Sequence, residues 1–228
     1  MADSYRPGAE DFEERPGIDI SWDVPWHARV PGAVLVAIMT LLWLAHIRTG
    51  GMGAWGVSGA ALAEGRWWTV PLHMFAHGGA AHIAMNGVAL FVLGGPLVAR
   101  MGDPPLGWLR FLAVFLASGL AGMALFLAIH PHGVVPMLGA SGAIYGLLGL
   151  LIRLPVEGEA LMPIRSARTK AILFDLIKAN AWLFVLLAIP ALLLGQSGGL
   201  AWEAHLGGFL FGLFAGPWFL PGVRSRTN

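Results

Sequence analysis

Gly139-Ala140-Ser141-Gly142-Ala143-Ile144-Tyr145-Gly146-Leu147-Leu148-Gly149 opens with a hydroxyl set among glycines and runs on, apolar, to Ile152. A second apolar run opens on Ala204-His205 and carries an imidazole at its own start. A polar nucleophile and a potential base are costly inside membrane-grade sequence and are kept there when they are used.

Much of the rest of the chain is membrane-grade. Its 228 residues are 57% hydrophobic and 12% charged, with a mean hydropathy of +0.70, far from the roughly 25% charged residues of a soluble domain. Apolar runs at 30–48, 80–99, 107–129, 139–154, 176–195 and 200–219 approach or reach the roughly 20 residues that a helix needs to cross a bilayer. They predict an all-α membrane protein, a bundle of six transmembrane helices in one domain over 29–220. The fourth run is short, so its polar start is expected below the membrane surface, in a cavity.

The flanks fix the remaining organisation. Residues 1–28 form an acidic tail with Glu10, Asp11, Glu13, Glu14, Asp19 and Asp23, without the basic start or cleavage site of a signal peptide. Residues 221–228 form a short basic tail. Twelve of the fourteen Lys and Arg fall on the N-terminal tail, the second and fourth connections and the C-terminus, leaving Arg48 and Arg66 on the other side. Basic residues collect on the cytoplasmic side, so both termini are expected in the cytoplasm. The starts of spans two, four and six then face outward, in what is expected to be a bacterial inner membrane. A net charge of +1 gives no sign of nucleic-acid binding, and zero cysteines exclude thiol catalysis and disulfides.

Connection one, about 49–79, is long and rich in Gly and Trp, including Trp55, Trp67 and Trp68, which suits a structured element at the headgroup level. Connection four, 155–171, reads as a cytoplasmic loop. Connection five, Gly195-Gln196-Ser197-Gly198-Gly199, is a candidate gate. Met85, Trp182 and Phe184 are candidate gate liners that read more readily as packing residues.

The chemistry gathers at three helix starts. On span four, Ser141, Tyr145 and Gly149 share a face, with Gly142 and Gly146 beside it. On span six, His205 is followed at helical spacing by Gly208, Gly212 and Gly216. Taken alone, each motif reads as small-residue packing or a hydrogen-bonded interhelical histidine. Together, two glycine-faced helices pack closely enough to bring hydroxyl and base into hydrogen-bond reach, which a weakly acidic serine needs to become a nucleophile. On span two, His82 and Asn86 are i,i+4 neighbours that offer N–H donors to a developing oxyanion, with the amides of Ser141 and Ala140 as further donors. His73 and His77 precede that helix and read as structural. Glu203, two residues before His205, reads as an interfacial residue pointing elsewhere, so the sequence offers His205 no acidic partner.

His77-x4-His82-x3-Asn86, Gly139-x-Ser141-Gly142 with Tyr145 and Gly146, and Ala204-His205-x2-Gly208-x3-Gly212 resemble the three signature blocks of the rhomboid intramembrane serine proteases, in order and on spans two, four and six. The resemblance covers roughly 30–220. It implies a Ser141–His205 dyad without an acidic third member, Tyr145 stacked on His205, and an oxyanion hole from His82, Asn86 and the Ser141 amide. It also implies a mainly structural His77. One departure is visible, since Arg66 precedes Trp67-Trp68 where the family often carries a Trp-Arg pair.

The implied activity is endopeptidase cleavage of the transmembrane segments of single-span membrane proteins, through an acyl-enzyme and without a cofactor. Competing readings fit less well. A metalloenzyme would find three histidines near span two but no H-E-x-x-H, no Cys and no nearby carboxylate. An aspartyl protease would need two buried Asp, and only Asp175, paired at i+3 with Lys178, is available. A transporter would explain pore-lining Ser141, Asn86 and His205 without explaining why they gather at one membrane face. A non-catalytic helix-gripping relative is expected to lack the Ser or the His.

Overall fold

The computed structural model describes residues 23–49, 51–154, 161–193 and 200–222, the side chains of 183, 184 and 186–193 excepted. The described chain is helical. Eight α-helices follow one another: α1 Trp26–His46, α2 Gly59–Ala63, α3 Thr69–Leu72, α4 Ala80–Met101, α5 Leu106–Ile129, α6 Ser141–Arg153, α7 Ala167–Leu193 and α8 Trp202–Phe214. Short 3-10 turns stand at Gly53–Trp55, His73–Phe75 and Gly216–Phe219. Each of the six apolar runs falls on a helix, and α1, α4 and α5 are long and apolar enough to cross a membrane. The acidic tail up to residue 22, the glycine-rich stretch 195–199, the basic tail from 223 and the Phe184 side chain lie outside the described residues.

Two boundaries differ from expectation. α1 starts at Trp26, inside the stretch assigned to the tail. α7 starts at Ala167, nine residues before the apolar run. Arg168, Lys170, Asp175 and Lys178 interrupt the hydropathy there, but all are compatible with a helix, and Asp175 and Lys178 pair at 2.9 Å across one turn. Hydropathy marks the membrane-depth part of a helix, not its whole length.

The bundle is apolar outside as well as inside. Ile38, Leu41 and Leu44 on α1, Val88 and Phe91 on α4, and Leu109, Leu116 and Leu120 on α5 are exposed, as a lipid-facing surface requires. Inside, Leu90, Leu97, Phe111, Phe115, Leu147 and Leu150 are almost fully enclosed. Where the surroundings are as apolar as leucine, burial drives association weakly and close packing carries it. That packing is tightest among α5, α6 and α8. A Cβ at Gly208 would overlap the Gly142 carbonyl oxygen, one at Gly212 the Gly146 carbonyl, and one at Gly149 the Phe209 carbonyl. The lower ends are pinned by Arg153 of α6, whose guanidinium donates to the carbonyls of Met162 at 2.8 Å and Leu213 of α8 at 3.2 Å.

Connection one folds back on this core through α2, α3 and two of the 3-10 turns. Ser58 caps α2 by accepting from the Ala61 amide at 3.1 Å. Val57 forms an isolated antiparallel bridge with Met137, two bonds of 2.9 and 2.8 Å. The His73 carbonyl accepts from the Gly139 amide at 2.8 Å. These contacts hold the approach to α6 from above. Trp67 and Trp68 stay exposed, while Arg66 pairs with Glu64 at 2.9 Å.

Candidate active site

Ser141 is the first residue of α6, and Ala140 before it is the N-cap. The first amides of a helix have no intrahelical acceptor and carry the positive end of its dipole. They therefore surround the serine with uncommitted donors. His205 stands in the first turn of α8, and Gly142, Gly208 and their neighbours bring the two helix starts together. Ser141 Oγ lies 2.7 Å from His205 Nε2, a hydrogen bond between groups 64 residues apart. The Tyr145 ring stacks on the His205 ring, centroids 4.3 Å apart and planes 6° from parallel. His205 Nδ1 is buried and has no hydrogen-bond partner among the described residues.

The stretch before Ser141 turns at Gly139, whose φ of +118° favours glycine. A side chain there would also collide with α4, since a Cβ would stand 2.6 Å from His82 Nε2 and 3.6 Å from Asn86 Nδ2. His82 and Asn86 are thus brought beside the residues that precede the serine. Asn86 is buried, and its Nδ2 is unpartnered among the described residues. A cavity of about 1000 Å³ opens over this region, lined among others by His82, Met85, Gly139, Ser141, Glu203 and His205. Gly142 also lines it, whereas Gly146, Gly149 and Gly212 lie deeper between the helices.

His73 and His77 support the loop. The His73 ring donates from Nδ1 to the Val70 carbonyl at 2.7 Å. His77 Nδ1 bonds the Phe75 carbonyl at 3.2 Å, and its ring meets that of His82 edge-on at 5.0 Å. Both lie outside the long helices, and burial pushes both below the ordinary imidazole range; His77, next to His82, falls to about 4. They are neutral at physiological pH.

Two features escaped the sequence reading. Glu203, read as an interfacial residue, is buried, and its Oε1 lies 2.6 Å from His130 Nε2. Its partner ends α5, far away in sequence, so nothing local to Glu203 announces the pair. Asn180 of α7 accepts a hydrogen bond from the Tyr145 hydroxyl. A lone amide in an apolar run was the available signal. Met85 and Trp182 are exposed on the bundle surface. Among the described residues no group of three or more His, Cys, Asp or Glu side chains could hold a metal ion.

Comparison with known proteins gives the family. The family model of the Rhomboid domain matches residues 64–222, which spans α3 to α8 and every residue of the site. The chain belongs to the rhomboid family. Rhomboid protease GluP of Bacillus subtilis is 31% identical over 154 residues, covering 68% of this chain and 26% of that protein. Rhomboid protease AarA of Providencia stuartii is 29% identical over 167 residues, 65% of this chain and 54% of that one. Rhomboid-type serine protease 2 of Emericella nidulans is 28% identical over 163 residues, 68% and 27% respectively. The chain thus spans about a quarter to a half of the length of these relatives. Family membership and the apolar helices together make this rhomboid an integral membrane protein.

Proposed function

We propose that this rhomboid is an intramembrane serine endopeptidase that cleaves the transmembrane segments of single-span membrane proteins, with Ser141 as nucleophile and His205 as its base. The observation that carries the reading is the 2.7 Å bond between Ser141 Oγ and His205 Nε2 at the wall of a cavity. Relatives named as rhomboid proteases and as a rhomboid-type serine protease support it.

The steps follow from the groups present. With its proton on Nδ1, His205 accepts the hydroxyl proton at Nε2 as Ser141 Oγ bonds to the substrate carbonyl carbon. The carbonyl oxygen becomes an oxyanion, for which the Ser141 amide, the Ala140 amide, Asn86 Nδ2 and the His82 ring are the donors. Asn86 Nδ2 has no competing partner among the described residues, so its donation is free for the transition state. Collapse breaks the C–N bond, and the imidazolium returns its proton to the leaving amine. Water, deprotonated in turn by His205, then splits the ester and regenerates Ser141. Tyr145 holds the imidazole ring through their stacking, in place of an acidic orienter. No cofactor enters any step.

A substrate helix has all its amides bonded internally, so its carbonyl becomes accessible only where Gly, Pro or small residues loosen it. We further propose that α1, α4, α5, α6, α7 and α8 are six spans in a bacterial inner membrane, with both termini cytoplasmic and the Ser141 cavity opening outward. The test is a panel of single-span membrane proteins reconstituted with the enzyme in liposomes. Cleavage within the spans by wild type, and none by Ser141→Ala or His205→Ala, is expected. Undiminished cleavage by either variant overturns the proposal.

A further inference from the structure

The tilt of the His205 ring has few determinants. Its Nε2 is bonded to Ser141, its face lies on Tyr145, and Nδ1 has no partner among the described residues. The orientation of the imidazole therefore depends on the orientation of the Tyr145 ring, and that ring is tied at its far end to another helix. The Tyr145 hydroxyl donates to Asn180 Oδ1. The amide's assignment is forced, because its Nδ2 donates at 2.8 Å to the Leu176 carbonyl one turn back, which leaves only the oxygen to face the phenol. An unbroken line of contacts then runs from α7 through Asn180, Tyr145 and His205 to the Ser141 hydroxyl.

α7 is a peripheral helix. Its described apolar contacts are with α6 and α8, where Ile172 joins Ile152, Phe209 and Leu213, while Phe174, Ile177 and Trp182 are exposed. A polar side chain among apolar helices bonds across them. The Asn180–Tyr145 bond is such a link, and it ends on the ring that supports the base.

We propose that Asn180 is a positioning residue for the Ser141–His205 pair, acting through the Tyr145 hydroxyl, so that the placement of α7 and the reactivity of Ser141 are coupled. The inference rests on the serine-peptidase reading and adds a residue to it. Asn180 touches neither substrate nor the reacting atoms. Its influence is on how often the imidazole stands in line with the hydroxyl, and it acts on the rate of acylation instead of on binding.

The experiment is a double-mutant cycle on the full chain in detergent, read as the saturating rate and half-saturation concentration of Ser141 labelling by a fluorophosphonate. Tyr145→Phe keeps the stack and removes the hydroxyl, and Asn180→Leu keeps the shape and removes the acceptor. Each is expected to lower the saturating rate by about three- to tenfold, the range for one hydrogen bond, with the half-saturation concentration unchanged. The double variant should lose no more than either single one. Asn180→Asp, which keeps an acceptor, should recover most of the rate. Independent losses that multiply in the double variant, or an Asn180→Leu rate equal to wild type, overturn the inference. If Asn180→Leu does not fold, Asn180→Ala takes its place in the same cycle. Absence of labelling in wild type, by contrast, removes the serine-hydrolase reading itself.

Discussion

Two glycine-to-alanine changes on facing helices should have very different consequences. At Gly142 an added Cβ would stand 3.1 Å from the Ala204 carbonyl oxygen, 3.6 Å from its carbon and 3.7 Å from its Cβ. Comfortable carbon contacts lie near 3.5–4.0 Å, so a shift of a few tenths of an ångström accommodates the methyl group. At Gly208 the Cβ would overlap the Gly142 carbonyl oxygen, backbone against backbone. There α6 and α8 must separate by on the order of 1 Å, since overpacking of this kind is relieved only by backbone movement. Such a separation costs about 1–3 kcal/mol of stability. It also stretches the 2.7 Å Ser141–His205 bond beyond hydrogen-bond range, and misplacement by about 1 Å can lower the rate of catalysis by about 100-fold. The assays are thermal unfolding in detergent and the rate of fluorophosphonate labelling. Gly208→Ala should lose both stability and most of its labelling, and Gly142→Ala should lose little of either. A Gly208→Ala protein with wild-type melting and labelling would refute the claim that close approach of α6 and α8 assembles the dyad.

Other substitutions probe separate parts of the account. Asn86→Ala should slow substrate cleavage by about 10- to 1000-fold, as for loss of an oxyanion donor, since Asn86 Nδ2 is unpartnered among the described residues and free to donate; wild-type cleavage would move the role to His82 and the backbone amides. Glu203→Ala should lower stability by about 1–3 kcal/mol through loss of a buried hydrogen-bonded carboxylate, with Glu203→Gln milder because it still offers His130 an acceptor; unchanged melting in both would show the pair to be dispensable. His77 binds its proton less readily folded, at about 4, than unfolded, at about 6.5. The unfolded chain therefore takes up more protons between those values, and stability is full above pH 6.5 and falls as the pH drops toward 4. His77→Gln should make that decline shallower in melts across this range, and an unchanged slope would count against a neutral buried His77.

What could be read from the sequence followed from periodicity and from the expense of polar groups in lipid. The glycine face of α6, from Gly142 to Gly149, and that of α8, from Gly208 to Gly212, were visible as i,i+3 and i,i+4 spacings, and with them the meeting of Ser141 and His205. Helical spacing likewise put His82 and Asn86 on one face of α4. The helical class of the chain was legible because its apolar runs are long. The true start of α7 was not, because charged residues that end a hydropathy window do not end a helix. Neither the His130–Glu203 pair nor the Tyr145–Asn180 bond could be read, since each joins residues whose proximity depends on how helices pack, 73 and 35 residues apart. Glu203 also shows how a carboxylate that looks interfacial by its neighbours becomes buried once a partner from another helix arrives.

The central claim, that Ser141 becomes a nucleophile through His205, is tested most directly by mapping the covalent adduct. Full-length protein treated with a fluorophosphonate, digested and analysed by mass spectrometry should carry the phosphonyl group on Ser141 in wild type and carry none in His205→Ala. A modification on another residue, or one on Ser141 that forms equally fast without His205, would contradict it.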